Sequence, residues 1–344
     1  MKIALCSTFV PFINGGYRHI VEWLEIELRR AGHEVERIYL PEDDTPVKLG
    51  HQMAAFRWLD LSSADRVICF RPQAHLIRHP HKIVWFIHHI RVLYDLWDTA
   101  YRVFSDDAEH RAIRDMVRDA DTVALKEARA LFTNSHVVAR RLADFNGLAG
   151  EVLYPPVVDP QRYRHEKYGD EIVCICRIEG HKRQHMLIDA MRHTRSDVRL
   201  RICGASADPV YVAELRKQVA KYELGNRVVI EDRWISEDEK IAYLSTCLAA
   251  AYVPADEDSY GYPVLEAAHA GKPSLSMSDA GGVLEFVQHE KQGLIAAPTA
   301  ESLARCMDEL QMRRERTVEM GRHALARIDE LGISWKHVLS RLLA

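Results

Sequence analysis

No apolar run in this 344-residue chain approaches the roughly 20 residues a helix needs to cross a bilayer, so the sequence offers no helical membrane span. Charge of one sign is also scarce. The 46 basic and 50 acidic side chains leave a formal net charge of −4, and both halves of the chain are mildly acidic. The electrostatic footprint of a nucleic-acid-binding protein is therefore missing. The seven cysteines (Cys6, Cys69, Cys174, Cys176, Cys203, Cys247 and Cys306) contain no CxxC pair. Most fall in apolar runs, which speaks against a disulfide framework or zinc site and predicts buried, reduced thiols. GxGxxG and Walker sequences are absent, which argues against a dinucleotide site or a P-loop. There is no low-complexity tract.

What is present is ordinary globular composition, 47% hydrophobic and 28% charged, in a length that suits two domains. Lys2–Ser7 reads as a first buried strand. Pro11 and Gly15-Gly16 follow too soon for a signal-peptide core and cleavage site. Tyr17–Ala31 has helical periodicity through Ile20, Trp23, Leu24 and Leu28, and Gly32 stands where a helix C-cap belongs. Strands are predicted at Glu34–Leu40, Arg66–Phe70, Lys82–Ile87 and Ala130–Asn134. After the Pro-rich, then charged, linker 154–169, they resume at Ile172–Cys176, Leu200–Cys203, Val228–Ile230, Ala249–Val253 and Ser274–Met277. This alternation predicts an α/β protein of two doubly wound domains facing across a cleft. The N-terminal domain is expected over 1–160 and the C-terminal one over 170–325, with a helical tail, 326–344, carrying an amphipathic helix at Trp335–Leu343. Ligands of open α/β sheets gather at the carboxyl ends of strands, so motifs that follow strands carry the most weight.

Five motifs do so. Gly15-Gly16 precedes the first helix, where a tight turn and free N–H groups suit an anion. Arg177 and Lys182 leave the strand ending at Cys176, and cations there suit a diphosphate. Asp256-Glu257-Asp258-Ser259-Tyr260-Gly261-Tyr262 leads from the strand Ala249–Val253 into a helix starting near Tyr262 or Pro263. Glu266 sits about one turn inside that helix. His88-His89 ends an N-terminal strand; adjacent side chains on a strand face opposite ways, and His88 is favoured as the site-facing ring. Gly281-Gly282 followed by Glu285 makes a Gly-rich turn into a helix. Asp256-Glu257-Asp258 also has the form DxD of a divalent-metal site, but acids ahead of a Gly turn and a distal Glu point to hydroxyl binding instead.

In this order the motifs resemble the family 4 (group 1) retaining glycosyltransferases of the GT-B fold, across nearly the whole chain and most strongly from Ile172 to about Leu310. The carriers are Arg177 with Lys182 five residues later, Gly204 after the next strand, and an E-x7-E frame holding Tyr260-Gly261 and ending at Glu266. Gly281-Gly282 with Glu285, Asn134-Ser135 and the Pro155-Pro156-Val157 linker complete the set. Two positions depart from the pattern: Asp258 replaces the first Glu of the frame, and Arg233-Trp234 stands where many relatives have a Gly and an apolar residue.

The resemblance implies a nucleotide-diphosphate sugar, UDP- or GDP-linked, as donor. That donor is a substrate, and neither a cofactor nor a metal is implied. The catalytic set would be Arg177, Lys182, Asp258 and His88. Arg177 and Lys182 would neutralise the diphosphate, Asp258 would hold donor-sugar hydroxyls and His88 would touch the sugar. Gly15, Gly16, Gly204, Gly261 and Tyr262 would line the donor site, and Glu266 would bind the ribose hydroxyls. A saccharide or lipid-linked saccharide acceptor and a cytoplasmic setting are implied. The basic stretch 71–91 (Arg71, Arg78, His79, His81, Lys82, Arg91) would suit peripheral contact with the inner face of a membrane. The alternatives are another GT-B enzyme, such as a phosphorylase or epimerase, and a non-catalytic sugar-nucleotide-binding partner subunit.

Overall fold

The computed structural model describes residues 1–11, 16–42, 45–99 and 102–344. It divides into two compact units, one of Met1–Pro156 with Ile333–Ala344 and the other of Val157–Gly332. Each is built on a six-stranded, all-parallel sheet.

The first unit contains β1 (Lys2–Phe9), β2 (Glu34–Pro41), β3 (Arg66–Cys69), β4 (Lys82–Phe86), β5 (Ala130–Thr133) and β6 (Glu151–Val152), in the order β2-β1-β3-β4-β5-β6. Its helices are α1 (Gly16–Arg30), α2 (Pro46–Arg57), α3 (Ala108–Lys126) and α4 (His136–Asn146). β3 and β4 are buried along their whole length, as expected of parallel strands covered on both faces. That burial includes Lys82. Its ammonium is satisfied by the carbonyls of His75 and Ala124 at 2.9 and 2.8 Å and by Glu127 at 3.3 Å.

The second unit contains β7 (Glu171–Ile175), β8 (Arg199–Cys203), β9 (Val228–Glu231), β10 (Ala249–Ala251), β11 (Ser274–Met277) and β12 (Gly293–Ala296), in the order β12-β11-β10-β7-β8-β9. Its helices are α5 (Gln184–Met191), α6 (Pro209–Lys221), α7 (Glu237–Thr246), α8 (Tyr262–His269), α9 (Val283–Phe286), α10 (Ala300–Met312) and α11 (Arg314–Glu330). A core of Ile172, Cys174, Leu200, Ile202, Leu275 and Leu294 from the sheet packs on Leu187, Ile188, Leu303 and Met307 from the helices. The strand order reverses between β7 and β10, as it does around β1 in the first unit, and that reversal opens the crevice where α/β sheets bind ligands.

The expected strands are present. Two further short strands, β6 and β12, lie outside the expected set. The domain limits differ from the composition-based ones. The first unit stops at Pro156, and the charged segment 161–169 joins the second unit, partly through the Glu166 and Lys167 N–H groups bonding to the Ser245 carbonyl. Residues 326–344 are not a separate tail. α11 completes the second unit, whereas α12 (Trp335–Leu342) returns to the first. Arg341 clasps Glu151 at 2.6 and 2.8 Å, and the Arg66 guanidinium donates to the Leu342 and Ala344 carbonyls at 2.5 and 3.1 Å.

Gly204, just past β8, shows how tightly the strand ends approach. A Cβ there would lie 1.9 Å from the Cys176 carbonyl oxygen, at a φ of 149°. Gly204→Ala is expected to destabilise the second unit by about 2–4 kcal/mol, since neither backbone can yield cheaply. Thermal unfolding followed by circular dichroism checks this, and an unchanged melting temperature would refute the close approach.

Candidate active site

The reversal between β7 and β10 places a buried cation at its centre. A single 3-10 turn, Gly180–Lys182, follows β7 and carries Lys182 inward, only 7% exposed. Its Nζ donates to the Tyr252 hydroxyl at 2.9 Å and forms an ion pair with the Glu257 carboxylate. The Tyr252 hydroxyl donates to the same carboxylate at 2.8 Å, closing a three-membered network. Burial pushes the Glu257 carboxyl up, but Lys182 and the two hydrogen bonds outweigh it and hold the group below its ordinary range.

Glu257 reaches Lys182 because its backbone is strapped to the loop after β11. The Asp256 N–H donates to the Asp279 carbonyl at 3.0 Å and the Glu257 N–H to that of Ala280 at 3.2 Å, while the Glu257 carbonyl accepts from the Gly282 N–H at 2.7 Å. A Cβ on Gly281 would come within 2.5 Å of the Glu257 carbonyl oxygen, and one on Gly282 within 2.7 Å of Ser259 backbone atoms. The Gly-Gly pair read as a turn into a helix is thus also the bed on which the acidic loop lies. Arg183, at φ 55°, adds a second strap. It pairs with both Asp279 carboxylate oxygens at 2.7 Å and donates to the Val253 and Pro254 carbonyls at 2.8 and 2.5 Å.

The other expected residues of this unit fall around the network. Arg177 is half exposed and leans on Glu179 at 2.5 Å. Gly261, at φ 76°, lets the chain turn into α8 against the Tyr252 ring, 2.3 Å from where a Cβ would stand. Tyr262 is the first residue of α8, and Glu266, one turn on, is buried with an oxygen 2.6 Å from Lys240 Nζ. Asp258 is half-buried in the loop, and the carboxylate that meets Lys182 belongs to its neighbour Glu257. Gly204 sits at the β8 end, against the Cys176 backbone.

In the first unit the two adjacent histidines pack differently. His89 is core: its Nε2 donates to Asn146 Oδ1 at 2.8 Å, and Phe86, Tyr94 and Phe145 surround it. His88 lies at the carboxyl end of β4, its Nδ1–H donating to the His89 carbonyl at 2.7 Å and its Nε2 accepting from Arg71 Nε at 3.3 Å. Burial, aided by Arg71, lowers His88 to about 3, so its ring is neutral at physiological pH. Arg71 is held by Glu42 at 2.6 Å, and Glu42 also accepts from Thr8 at 3.1 Å. These four residues sit at or just beyond the ends of β1, β2, β3 and β4. Gly16 opens α1 and is exposed; Gly15 lies outside the described residues.

The basic stretch 71–91 is partly drawn into the fold. Arg71 and Lys82 are buried and paired, Arg91 is bound to Asp95 at 2.7 Å, and His79 and His81 bond Ala64 and Arg129; Arg78 is exposed. Among the described residues no helix is long and apolar enough to cross a membrane.

Sequence reading missed Tyr252, seen only as a strand residue, and Lys240, which carries no motif. It missed the Glu42–Arg71 pair as well. Glu257 had a local signal, since it adjoins the motif acid.

Two doubly wound, six-stranded parallel sheets make up the GT-B fold. Solved structures agree. The superposition on Anabaena Alr3699/HepE in complex with UDP and glucose has a TM-score of 0.73, with 18% identity over 99% of this chain and 100% of that one. That on sucrose-phosphate synthase from Thermosynechococcus elongatus has a TM-score of 0.76, with 16% identity over 98% and 97%. Residues 159–327 match the family model "Glycosyl transferases group 1". Among curated proteins, the chain is 28% identical over 127 residues to the alpha-1,3/1,6-mannosyltransferase ALG2 of Dictyostelium discoideum, covering 37% of this chain and 30% of that protein. It is 31% identical over 177 residues to the D-rhamnosyltransferase WbpZ of Pseudomonas aeruginosa, covering 50% and 44%. The matched stretches therefore span less than half the length of these curated relatives.

Because Glu257 is held below the ordinary carboxylate range, its pairing stabilises the fold above the unfolded pKa of about 4.3 and is lost as pH falls through the folded value. Glu257→Gln is expected to melt below wild type at pH 7, with the gap closing below about pH 4. A gap that stays constant down to pH 3 would contradict the ion pair.

Proposed function

We propose that the protein is a retaining glycosyltransferase that moves a sugar from a nucleotide-diphosphate sugar to a saccharide or lipid-linked saccharide. The observation that carries this reading is the Lys182 ammonium, buried at the β7–β10 reversal of a group 1 glycosyl transferase domain. The similar structures support a nucleotide-sugar donor, since HepE was solved with UDP and with UDP-glucose.

Transfer breaks the bond between the sugar C1 and the diphosphate oxygen and forms one between C1 and an acceptor oxygen. Negative charge grows on the departing diphosphate, and fixed cations in a dry site are suited to stabilise it. Lys182 and Arg177 take that role. The Glu257–Tyr252 pair keeps Lys182 in place. Asp258 and neutral His88 contact the donor sugar, and His88 adds no charge to a sugar that is itself becoming cationic. Gly16, Gly261 and Tyr262 admit the diphosphate to backbone N–H groups, and Glu266 accepts from the ribose hydroxyls. In a front-face reaction the acceptor proton passes to the leaving phosphate oxygen, so no protein nucleophile is needed.

UDP or GDP is expected to raise the melting temperature without added metal, by binding only the native state. Lys182→Gln should lower turnover of the matching nucleotide sugar by about 100-fold or more. Wild-type turnover in that variant would refute the assignment, as would the absence of a shift with UDP, GDP and ADP alike. In the Glu257→Gln background, where no carboxylate is left unpaired, Lys182→Gln should cost turnover without further loss of stability.

A further inference from the structure

Glu266 poses an electrostatic problem. Its residue is 4% exposed, and burial raises its carboxyl above the ordinary range. A group meant to grip two vicinal hydroxyls acts best as an ionised acceptor, which burial opposes. The cation that faces it comes from another helix. Lys240, itself 7% exposed, sits in the first turns of α7 and places Nζ 2.6 Å from Glu266 Oε1 and 2.7 Å from Glu237 Oε1. α7 is fixed there by a reciprocal cap, in which Ser236 accepts from the Glu239 N–H and the Glu239 carboxylate from that of Ser236. Both members of the pair lie near the N-terminal ends of helices that follow β9 and β10. That is the ligand-binding end of the sheet rather than its far side.

We infer that Lys240 is a positioning residue: it keeps the Glu266 carboxylate ionised and oriented to accept the two ribose hydroxyls, so nucleotide affinity depends on a side chain that does not touch the nucleotide. This rests on the reading of Glu266 as the ribose-binding acid. The other groups facing the carboxylate are Glu237 from α7, the Tyr163 hydroxyl from the segment before β7, and Tyr262 from α8 itself. Glu237 disfavours ionisation of Glu266, and the Tyr163 hydrogen bond favours it, so Lys240 is the ammonium that balances two acids. A purely structural buried pair could be replaced by apolar side chains with little harm, whereas a positioning pair cannot.

The test measures binding of UDP and GDP, and of their 2′,3′-dideoxy counterparts, by isothermal titration calorimetry between pH 6 and 9. Wild type should favour the ribonucleotide at every pH. If it does not, Glu266 does not read ribose, and the underlying assignment fails before Lys240 is questioned. Lys240→Met should weaken ribonucleotide binding about tenfold at pH 7 and abolish the preference over the dideoxy form. Both should return as pH rises and the carboxyl ionises, and Lys240→Arg should retain them. Wild-type preference in Lys240→Met at all pH values would overturn the inference. If that variant does not fold, Lys240→Met is placed in the Glu266→Gln background, which leaves no buried carboxylate unpaired, since Glu237 is 40% exposed to solvent. A residue acting only through Glu266 adds no further loss there, and an additional loss would overturn the proposal.

Discussion

Much of the second unit's site follows from burying one ammonium. Lys182 is drawn inward at the end of β7, and a buried cation requires a buried counter-charge. Glu257 supplies it, with the Tyr252 hydroxyl bonded to both. That arrangement imposes further constraints. The acidic loop must lie on the loop after β11, which admits only glycine at 281 and 282, and the Tyr252 ring admits only glycine at 261. Arg183 then ties the same two loops through Asp279. Residues that look like independent motifs along the chain are parts of one packing solution around Lys182.

The first unit solves a different problem at the equivalent place in its sheet. A carboxylate and a guanidinium, Glu42 and Arg71, cancel each other at the ends of β2 and β3, and Arg71 donates to His88. The result is a neutral imidazole with both nitrogens engaged. Such a group can shape and position a sugar without competing for charge.

The two buried ion pairs of the second unit differ in design. Lys182 and Glu257 are held by a network that includes a tyrosine and two strapped loops, so neither can move alone. Lys240 and Glu266 join two helices, with Glu237 as a second carboxylate on the lysine. In both, a buried charge is fixed by a partner whose position is set by a different loop or helix.

Ten of the twelve strands, their alternation with helices, the two-unit layout and the order of the motifs were legible in the sequence, because burial on both faces of a parallel strand demands continuous apolar runs and strand-end glycines have few substitutes. Arg177, Lys182 and Glu266 were likewise legible, since each stands at a fixed distance from a strand end or turn. The partners of those residues were not. Glu257 rather than Asp258 meets Lys182, Tyr252 bridges them, Lys240 faces Glu266, and α12 returns to the first unit, because each of these contacts joins residues far apart in sequence or turns on which way a loop side chain points. Arg71 and Lys82 in the basic stretch 71–91 teach the same lesson, for Glu42, Glu127 and buried carbonyls claim them. Local pattern determined which groups the chain offers; only folding, which decides where each charge finds its counter-charge, determined what they meet.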